Sequence, residues 1–257
     1  MIDQSEIEFY KTNGYLFVPD VFDRQAIAAM RAVAYRNIEM SGKVSRSDER
    51  FDVGPGHCAS QPRLRRLKNP CQHEVVYDQA SRSERLISIV SALLGPNVRF
   101  DHSKLNYKPS GAAETIEWHH DWAFYPHTND DILAVGVLLE DATAENGPLM
   151  VIPKSHLGDV YDHHRDGYFV GAIDMEIADF ESSQGVEITG KAGGITIHHV
   201  RTIHGSRHNQ TVRDRPLLIL SYAAVDAWPL VGDVDLDEFD SHCFWPISCS
   251  FWEKTIY

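Results

Sequence analysis

Along the first hundred residues the apolar positions recur at helical spacing, and beyond them they alternate or bunch into short runs. Glu6-Ile7-Glu8-Phe9-Tyr10 predicts a short helix, Gly14 stops it, and Tyr15-Leu16-Phe17-Val18-Pro19 reads as a strand. Ile27, Met30, Val33 and Ala34 share one face of a helix predicted over 23–38. Residues 40–62 are polar, rich in Gly and Pro, and carry no period, so they read as a long loop. A further helix is predicted over 75–94, ended by Gly95-Pro96. Strands follow over 98–107, 132–139, 149–152, 186–189, 195–199 and 217–225, punctuated by Gly, Pro, Asp and Asn. So many short runs predict a mainly β protein, a sandwich or barrel of antiparallel strands with helices packed outside. No internal repeat or linker interrupts the pattern. One domain is expected, with a helical part over about 1–97, a β core over about 98–226 and a C-terminal segment, 227–257.

The composition is that of an ordinary globular chain: 257 residues, 43% hydrophobic and 24% charged. A formal charge of −13 argues against binding nucleic acid or an anionic membrane, since neutralising phosphates needs clustered Lys and Arg. The one compact basic run, Arg63, Arg65, Arg66 and Lys68, is too short to make such a face. No basic N-terminal segment precedes an apolar stretch and no apolar run approaches a membrane span, so a cytoplasmic location is expected. Cys58, Cys71, Cys243 and Cys249 are scattered, as reduced thiols are. The unusual feature is 14 histidines, because histidine is the commonest metal ligand.

Their placement suggests a metal centre. In Trp118-His119-His120-Asp121-Trp122, His119 and Asp121 are two apart, and in an extended chain such residues project to the same side. The downstream segment 195–206, with His198, His199 and His204, offers a further histidine from another strand; His208 lies just beyond it. Two histidines and one carboxylate, with coordination positions left open, is the set used by non-heme Fe(II) oxygenases. Trp118, Trp122, Phe124 and Tyr125 surround the triplet with aromatic, water-poor material, which suits a pocket. Gly185 to Lys191 has phosphate-loop spacing, but Ala192 replaces the expected Ser/Thr and a strand follows instead of a helix.

Five stretches in order, Gly14 to Pro19, Trp118 to Asp121, Asn146 to His156, His204 to Asn209, and Arg215, resemble the phytanoyl-CoA dioxygenase (PhyH) family of Fe(II)/2-oxoglutarate oxygenases. The resemblance spans nearly the whole chain. It implies a double-stranded β-helix, or jelly roll, using Fe(II), 2-oxoglutarate as cosubstrate and O2. It implies His119 and Asp121 as proximal iron ligands and His204 as the distal one. Arg215 then holds the far carboxylate of 2-oxoglutarate, with Ser206 adding a hydroxyl and Lys68, taken as part of the helical region, reaching the same cosubstrate. Gly193-Gly194 departs from the family's Gly-Asp at the turn leading to the distal strand.

The activity implied is hydroxylation of an unactivated C–H bond in a small molecule, releasing succinate and CO2. Desaturation, cyclisation or epoxidation at the same iron, or a non-catalytic cupin-like metal-binding or sensor module, are the alternatives. Trp122, Phe124, Tyr125 and His198 are expected to line the substrate pocket. The polar segment 161–169 and the region 40–62 are candidate lids. Tyr10, Tyr15 and the cluster Phe244, Trp245, Phe251 and Trp252 are expected to seal the core or a homodimer face; monomer and homodimer both remain open. An acyl-CoA substrate is disfavoured, because its phosphates want a basic rim that this chain scarcely offers.

Overall fold

A computed structural model describes residues 2–111, 115–231 and 243–244 of the chain. The first helix, α1 (Gln4–Asn13), opens on a capping box in which the Asp3 carboxylate accepts the Glu6 amide and Glu6 accepts the Asp3 amide. Gly14 ends it with φ of 79°, and the chain turns into β1 (Tyr15–Val18). Asp23 caps α2 (Arg24–Ser41), which buries Ile27, Met30 and Ala34 as its spacing predicts. The predicted loop over 40–62 hides β2 (Phe51–Val53), which pairs with β3 (Leu64–Lys68). A three-residue strand is too short to show a period. The helix expected over 75–94 is broken: α3 (Pro70–His73) and α4 (Val75–Ser81) precede α5 (Glu84–Leu94), with Ser83 in extended backbone between the last two.

The β region holds β4 (Val98–Lys108), β5 (Ile116–His119), β6 (Ile132–Leu138), β7 (Leu149–Val151), β8 (His164–Arg165), β9 (Tyr168–Phe169), β10 (Val186–Ile188), β11 (Ile195–His199), β12 (His204–Ser206) and β13 (Arg215–Ala224). A last short strand, β14 (Cys243–Phe244), pairs with the start of β4. The larger sheet runs β1-β11-β6-β13-β4-β3-β2, and the smaller runs β10-β7-β12-β5. Every pairing between these strands is antiparallel. This is the mainly β jelly roll with flanking helices that the sequence and its resemblance led to expect. No helix among the described residues is long and apolar enough to cross a membrane.

The two-residue period of the strands divides the larger sheet into two faces. Leu105 and Tyr107 of β4, Val135 and Val137 of β6, Ile195 and Ile197 of β11, and Leu218 and Leu220 of β13 join the main core with Leu86 and Ile89 of α5. Their neighbours Lys104, Asn106, Lys108, Gly136, Thr196, His198, Arg215, Leu217 and Ile219 face the other way and line a cavity of about 240 Å3. Leu149, His204, Ser206 and Ile116 close that cavity from the smaller sheet. Phe244 packs against the main core, while Trp245, Phe251 and Trp252 lie outside the described residues.

Two sets of backbone and imidazole contacts brace the ends of the strands. The Gly14 carbonyl accepts both the His199 amide at 2.9 Å and the Thr202 hydroxyl at 2.7 Å, and the Lys154 amide donates to Asn13 O at 2.9 Å. The buried His156, from the Asn146 to His156 stretch, sets Nε2 3.1 Å from Lys11 O, so it bolts that stretch to α1. On the other side the segment read as a lid is tethered. The Tyr161 amide donates to His120 Nε2 at 3.0 Å, and the His120 amide donates to His163 Nε2 at 3.2 Å. Its tip folds into the β8–β9 hairpin, whose Phe169 meets the Phe124 ring edge-on at 5.1 Å.

Gly14 cannot carry a side chain in this setting: besides its left-handed φ, an added Cβ would lie 2.4 Å from His156 Nδ1 and 2.6 Å from Thr202 Oγ1. Gly14→Ala is expected to cost about 1–3 kcal/mol of stability, read as a lowered denaturant midpoint at unchanged slope. An unshifted midpoint would contradict the packing described. Acid should also loosen the braces. Burial holds the imidazoles of His120 and His199 down to about 4, and each accepts an amide hydrogen bond that protonation would abolish. The folded state therefore refuses a proton that the unfolded chain takes up below about pH 6.5, so stability is complete above that pH and falls toward pH 4. The metal-free chain should melt lower at pH 5 than at pH 7.5, and His120→Asn should flatten that slope; an equal slope in both would contradict it.

Candidate active site

β5 ends at His119, His120 continues in extended backbone, and Asp121 opens a one-turn 3-10 helix, Asp121–Ala123. Asp121 is thus not in the strand assumed from the two-residue spacing, yet its carboxylate still turns toward His119. Opposite, β12 sets His204 in direct register with His119. The distal histidine sits on this separate strand, beyond the turn that follows β11, so Gly193-Gly194 leads into β11 instead. One ligating atom each from His119, Asp121 and His204 lies within 4.8 Å of the others.

The protonation states suit a metal. His119 Nδ1 lies 2.8 Å from Glu117 O and His204 Nδ1 lies 2.9 Å from Thr202 O. A carbonyl can only accept, so each Nδ1 carries the proton and each Nε2 keeps its lone pair. Burial, the leading cause in both, pushes the two imidazoles below their ordinary value. Burial opposes ionisation of Asp121, but the hydrogen bond from His198, then the adjoining His204 ring and the Lys104 ammonium, outweigh it and hold the carboxyl well below its usual range. Two neutral imidazoles and a carboxylate form a donor set that fits a divalent transition metal with positions left open.

Of the rival histidines, His198 lines the cavity with its Nε2 3.3 Å from Asp121 Oδ2 and its ring centre 4.2 Å from that of His204. His199 turns away, its Nδ1 accepting the Arg201 amide, and neither His199 nor His208 lines the cavity. Arg215, buried at the start of β13, donates to Asn146 O at 3.1 Å and Gly147 O at 2.8 Å. The Asn-Gly-Pro stretch therefore fixes the guanidinium. Ser206 lines the same end of the cavity and accepts a hydrogen bond of 2.7 Å from Lys108 Nζ. Lys108 also donates to Arg207 O. Burial, and then the charge of Arg215, lowers its ammonium to about 7, and burial lowers Arg215 to about 10. Two buried cations side by side, with no carboxylate among the described residues to balance them, make a seat for an anion.

Lys68 does not reach this seat. It lies on strand β3, not on a helix, and its ammonium donates to Asp48 O at 2.6 Å, outside the cavity. Phe124 does line the cavity, edge-on to His119 at 5.7 Å. Trp122 and Tyr125 instead pack against a small cluster of Ile132, Val200, Ala223 and Ala227. Sequence reasoning missed Lys104, Asn106 and Lys108. Their alternation with Leu105 and Tyr107 was legible, but a polar strand face ordinarily meets water. Only the closure of the second sheet over β4 turns that face inward.

The model of the family described as "Phytanoyl-CoA dioxygenase (PhyH)" matches residues 10–217. A probable alpha-ketoglutarate-dependent hypophosphite dioxygenase of Stutzerimonas stutzeri is 36% identical over 237 residues, covering 90% of this chain and 82% of that protein. An ectoine dioxygenase from Stutzerimonas stutzeri strain A1501 is 26% identical, over 86% of this chain and 76% of its own length. The crystal structure of EctD from S. alaskensis with bound Fe superposes with a TM-score of 0.71 at 26% identity, covering 87% of this chain and 77% of that one. The chain belongs to the phytanoyl-CoA dioxygenase family.

Proposed function

We propose that the chain is an Fe(II)- and 2-oxoglutarate-dependent dioxygenase that hydroxylates a small molecule, with His119, Asp121 and His204 holding the iron. The observation that carries this reading is the triad itself: three ligating atoms within 4.8 Å of one another, with both histidine Nδ1 atoms on backbone carbonyls. Bound there with 2-oxoglutarate, Fe(II) supplies the oxidising chemistry that consumes O2, releases succinate and CO2, and passes one oxygen atom to the substrate.

The chain's own groups supply placement. Arg215 and Lys108 take the far carboxylate of 2-oxoglutarate, a planar guanidinium offering the bidentate geometry that a carboxylate matches. Ser206, whose oxygen accepts from Lys108, keeps its hydroxyl proton to donate to the same carboxylate. His198 holds the second oxygen of Asp121 and so fixes the carboxylate's orientation. Phe124, Leu149, Leu217 and Ile219 keep water from the walls. A module that only bound metal would have no use for a buried pair of cations at the far end of the cavity.

The names of the relatives place two kinds of molecule at sites of this family, a small inorganic anion in one and ectoine in the other. Both are far smaller than an acyl-CoA, and a cavity of about 240 Å3 that must also hold 2-oxoglutarate can enclose only a small molecule or the end of a larger one. Replacing Arg215 by Ala should raise the KM for 2-oxoglutarate by roughly tenfold or more, measured as succinate release, while Fe(II) affinity stays near wild type. An unchanged KM would remove Arg215 from the cosubstrate site. Loss of Fe(II) binding in the variant would contradict the separation of the two seats.

A further inference from the structure

The cavity holds more positive charge than the cosubstrate needs. Among the described residues, Arg65, Arg66, Lys104, Lys108 and Arg215 line it against Asp52 and Asp121, in a chain whose net charge is −13. Lys108 and Arg215 are accounted for by the far carboxylate of 2-oxoglutarate. Lys104 is not. It shares the inward face of β4 with Asn106 and Lys108, four residues from Lys108, so the two lysines are set about 13 Å apart along the strand. Their heads also go to different neighbours, Lys108 to Ser206 and Arg207 and Lys104 to the Tyr125 ring. The Lys104 ammonium lies over the Tyr125 ring at 5.1 Å and makes no hydrogen bond or ion pair within 4.0 Å among the described residues. Asp121 feels the Lys104 charge without forming an ion pair with it, since the carboxylate oxygens face His198 at 3.3 Å and His204 at 4.0 Å.

Beside Lys104, β3 brings in the basic run noted in the sequence. Arg66 pairs in register with Asn106 and donates from Nε to Asn106 Oδ1 at 3.0 Å, which points the Asn106 amide N–H2 group away from it and leaves the guanidinium's remaining donors unused by that bond. Arg65 and Arg66 are exposed, so they stand at the cavity's mouth. Exposed cations there draw anions toward the opening, and a half-buried ammonium inside receives them.

Resting on the oxygenase reading above, we propose that the substrate is a small anion, seated by Lys104 and Asn106 within the cavity and admitted past Arg65 and Arg66. Its size is limited by the space that 2-oxoglutarate leaves. The negative charge is what distinguishes it from a neutral or zwitterionic substrate, which would leave the half-buried Lys104 ammonium without a hydrogen-bonded counter-charge in the cavity. For hypophosphite as the probe the reaction balances as H2PO2− + 2-oxoglutarate + O2 giving H2PO3− + succinate + CO2. One P–H bond becomes P–OH, phosphorus loses two electrons, and the decarboxylated keto acid supplies the other two that reduce O2.

The test uses full-length protein loaded anaerobically with Fe(II) and 2-oxoglutarate, titrated calorimetrically with hypophosphite, propionate, ectoine and L-proline, followed by succinate release in air. One of the two anions should bind and raise succinate release above the substrate-free rate, hypophosphite marking an inorganic substrate and propionate an organic one. Lys104→Met should weaken that anion by roughly tenfold to a hundredfold while 2-oxoglutarate affinity stays within about twofold, and Lys104→Arg should restore part of the loss. Stimulation by ectoine or L-proline alone, binding of neither anion, or equal anion affinity in Lys104→Met overturns the proposal. So does a Lys104→Met protein that loses 2-oxoglutarate instead, which would assign the ammonium to the cosubstrate. Failure of the wild-type protein to bind 2-oxoglutarate would overturn the oxygenase reading beneath it, and is seen separately in the loading step.

Discussion

The site depends on where two protons sit. His119 and His204 each give their Nδ1 proton to the carbonyl of the residue two positions earlier, Glu117 and Thr202. The same local bond recurs at His127 with Tyr125 and at His163 with Tyr161. Because the acceptor belongs to the histidine's own strand or turn, the tautomer is fixed by local backbone and needs no distant carboxylate. Each Nε2 then presents its lone pair to whatever occupies the space between them. The antiparallel register of β5 and β12 brings the two rings to a centroid distance of 4.1 Å, and the one-turn helix after His120 swings Asp121 in beside them.

A second constraint is the cost of burying charge. Arg215, Lys108 and Asp121 are each nearly inaccessible to water, and an ion in that position needs a partner. Asp121 has two imidazoles at hand. The cations at the far end have only carbonyls and a hydroxyl, which satisfy hydrogen bonds without cancelling charge. The protein therefore carries an electrostatic debt at one end of the cavity that a dicarboxylate can settle, and pre-orders the guanidinium through the Asn146 and Gly147 carbonyls before any ligand arrives. The braces at Gly14, His156 and His120 hold the strand ends that carry these groups, linking the helical part of the chain to the geometry of the site.

The β core was legible because alternation survives in sequence: 195–199 matches β11 end to end, and β4, β6 and β13 were found to within two residues. The triad was legible because its residue types are rare together and its two parts flank recognisable motifs. What escaped has a common cause. β2, β8 and β9 are two or three residues long and carry no period, so they vanish into what reads as loop. Lys104, Asn106 and Lys108 show their alternation openly, but whether a strand's polar face meets water or a second sheet is decided by residues far away. Lys68 was misplaced for the converse reason: the sequence shows a basic run near a helix, while the register that puts Lys68 on a strand and its head on Asp48 O is a property of the folded sheet.

The central claim, one Fe(II) and one 2-oxoglutarate sharing the space between His119, Asp121 and His204, is tested most directly by anaerobic titration of Fe(II) into protein saturated with 2-oxoglutarate, following the weak visible charge-transfer band of the chelated iron. The account predicts a band that saturates at one equivalent of Fe(II) in wild type and is lost in a folded His204→Ala variant. A correctly folded wild-type protein that takes up iron without developing the band, or a His204→Ala protein that develops it fully, would contradict the account.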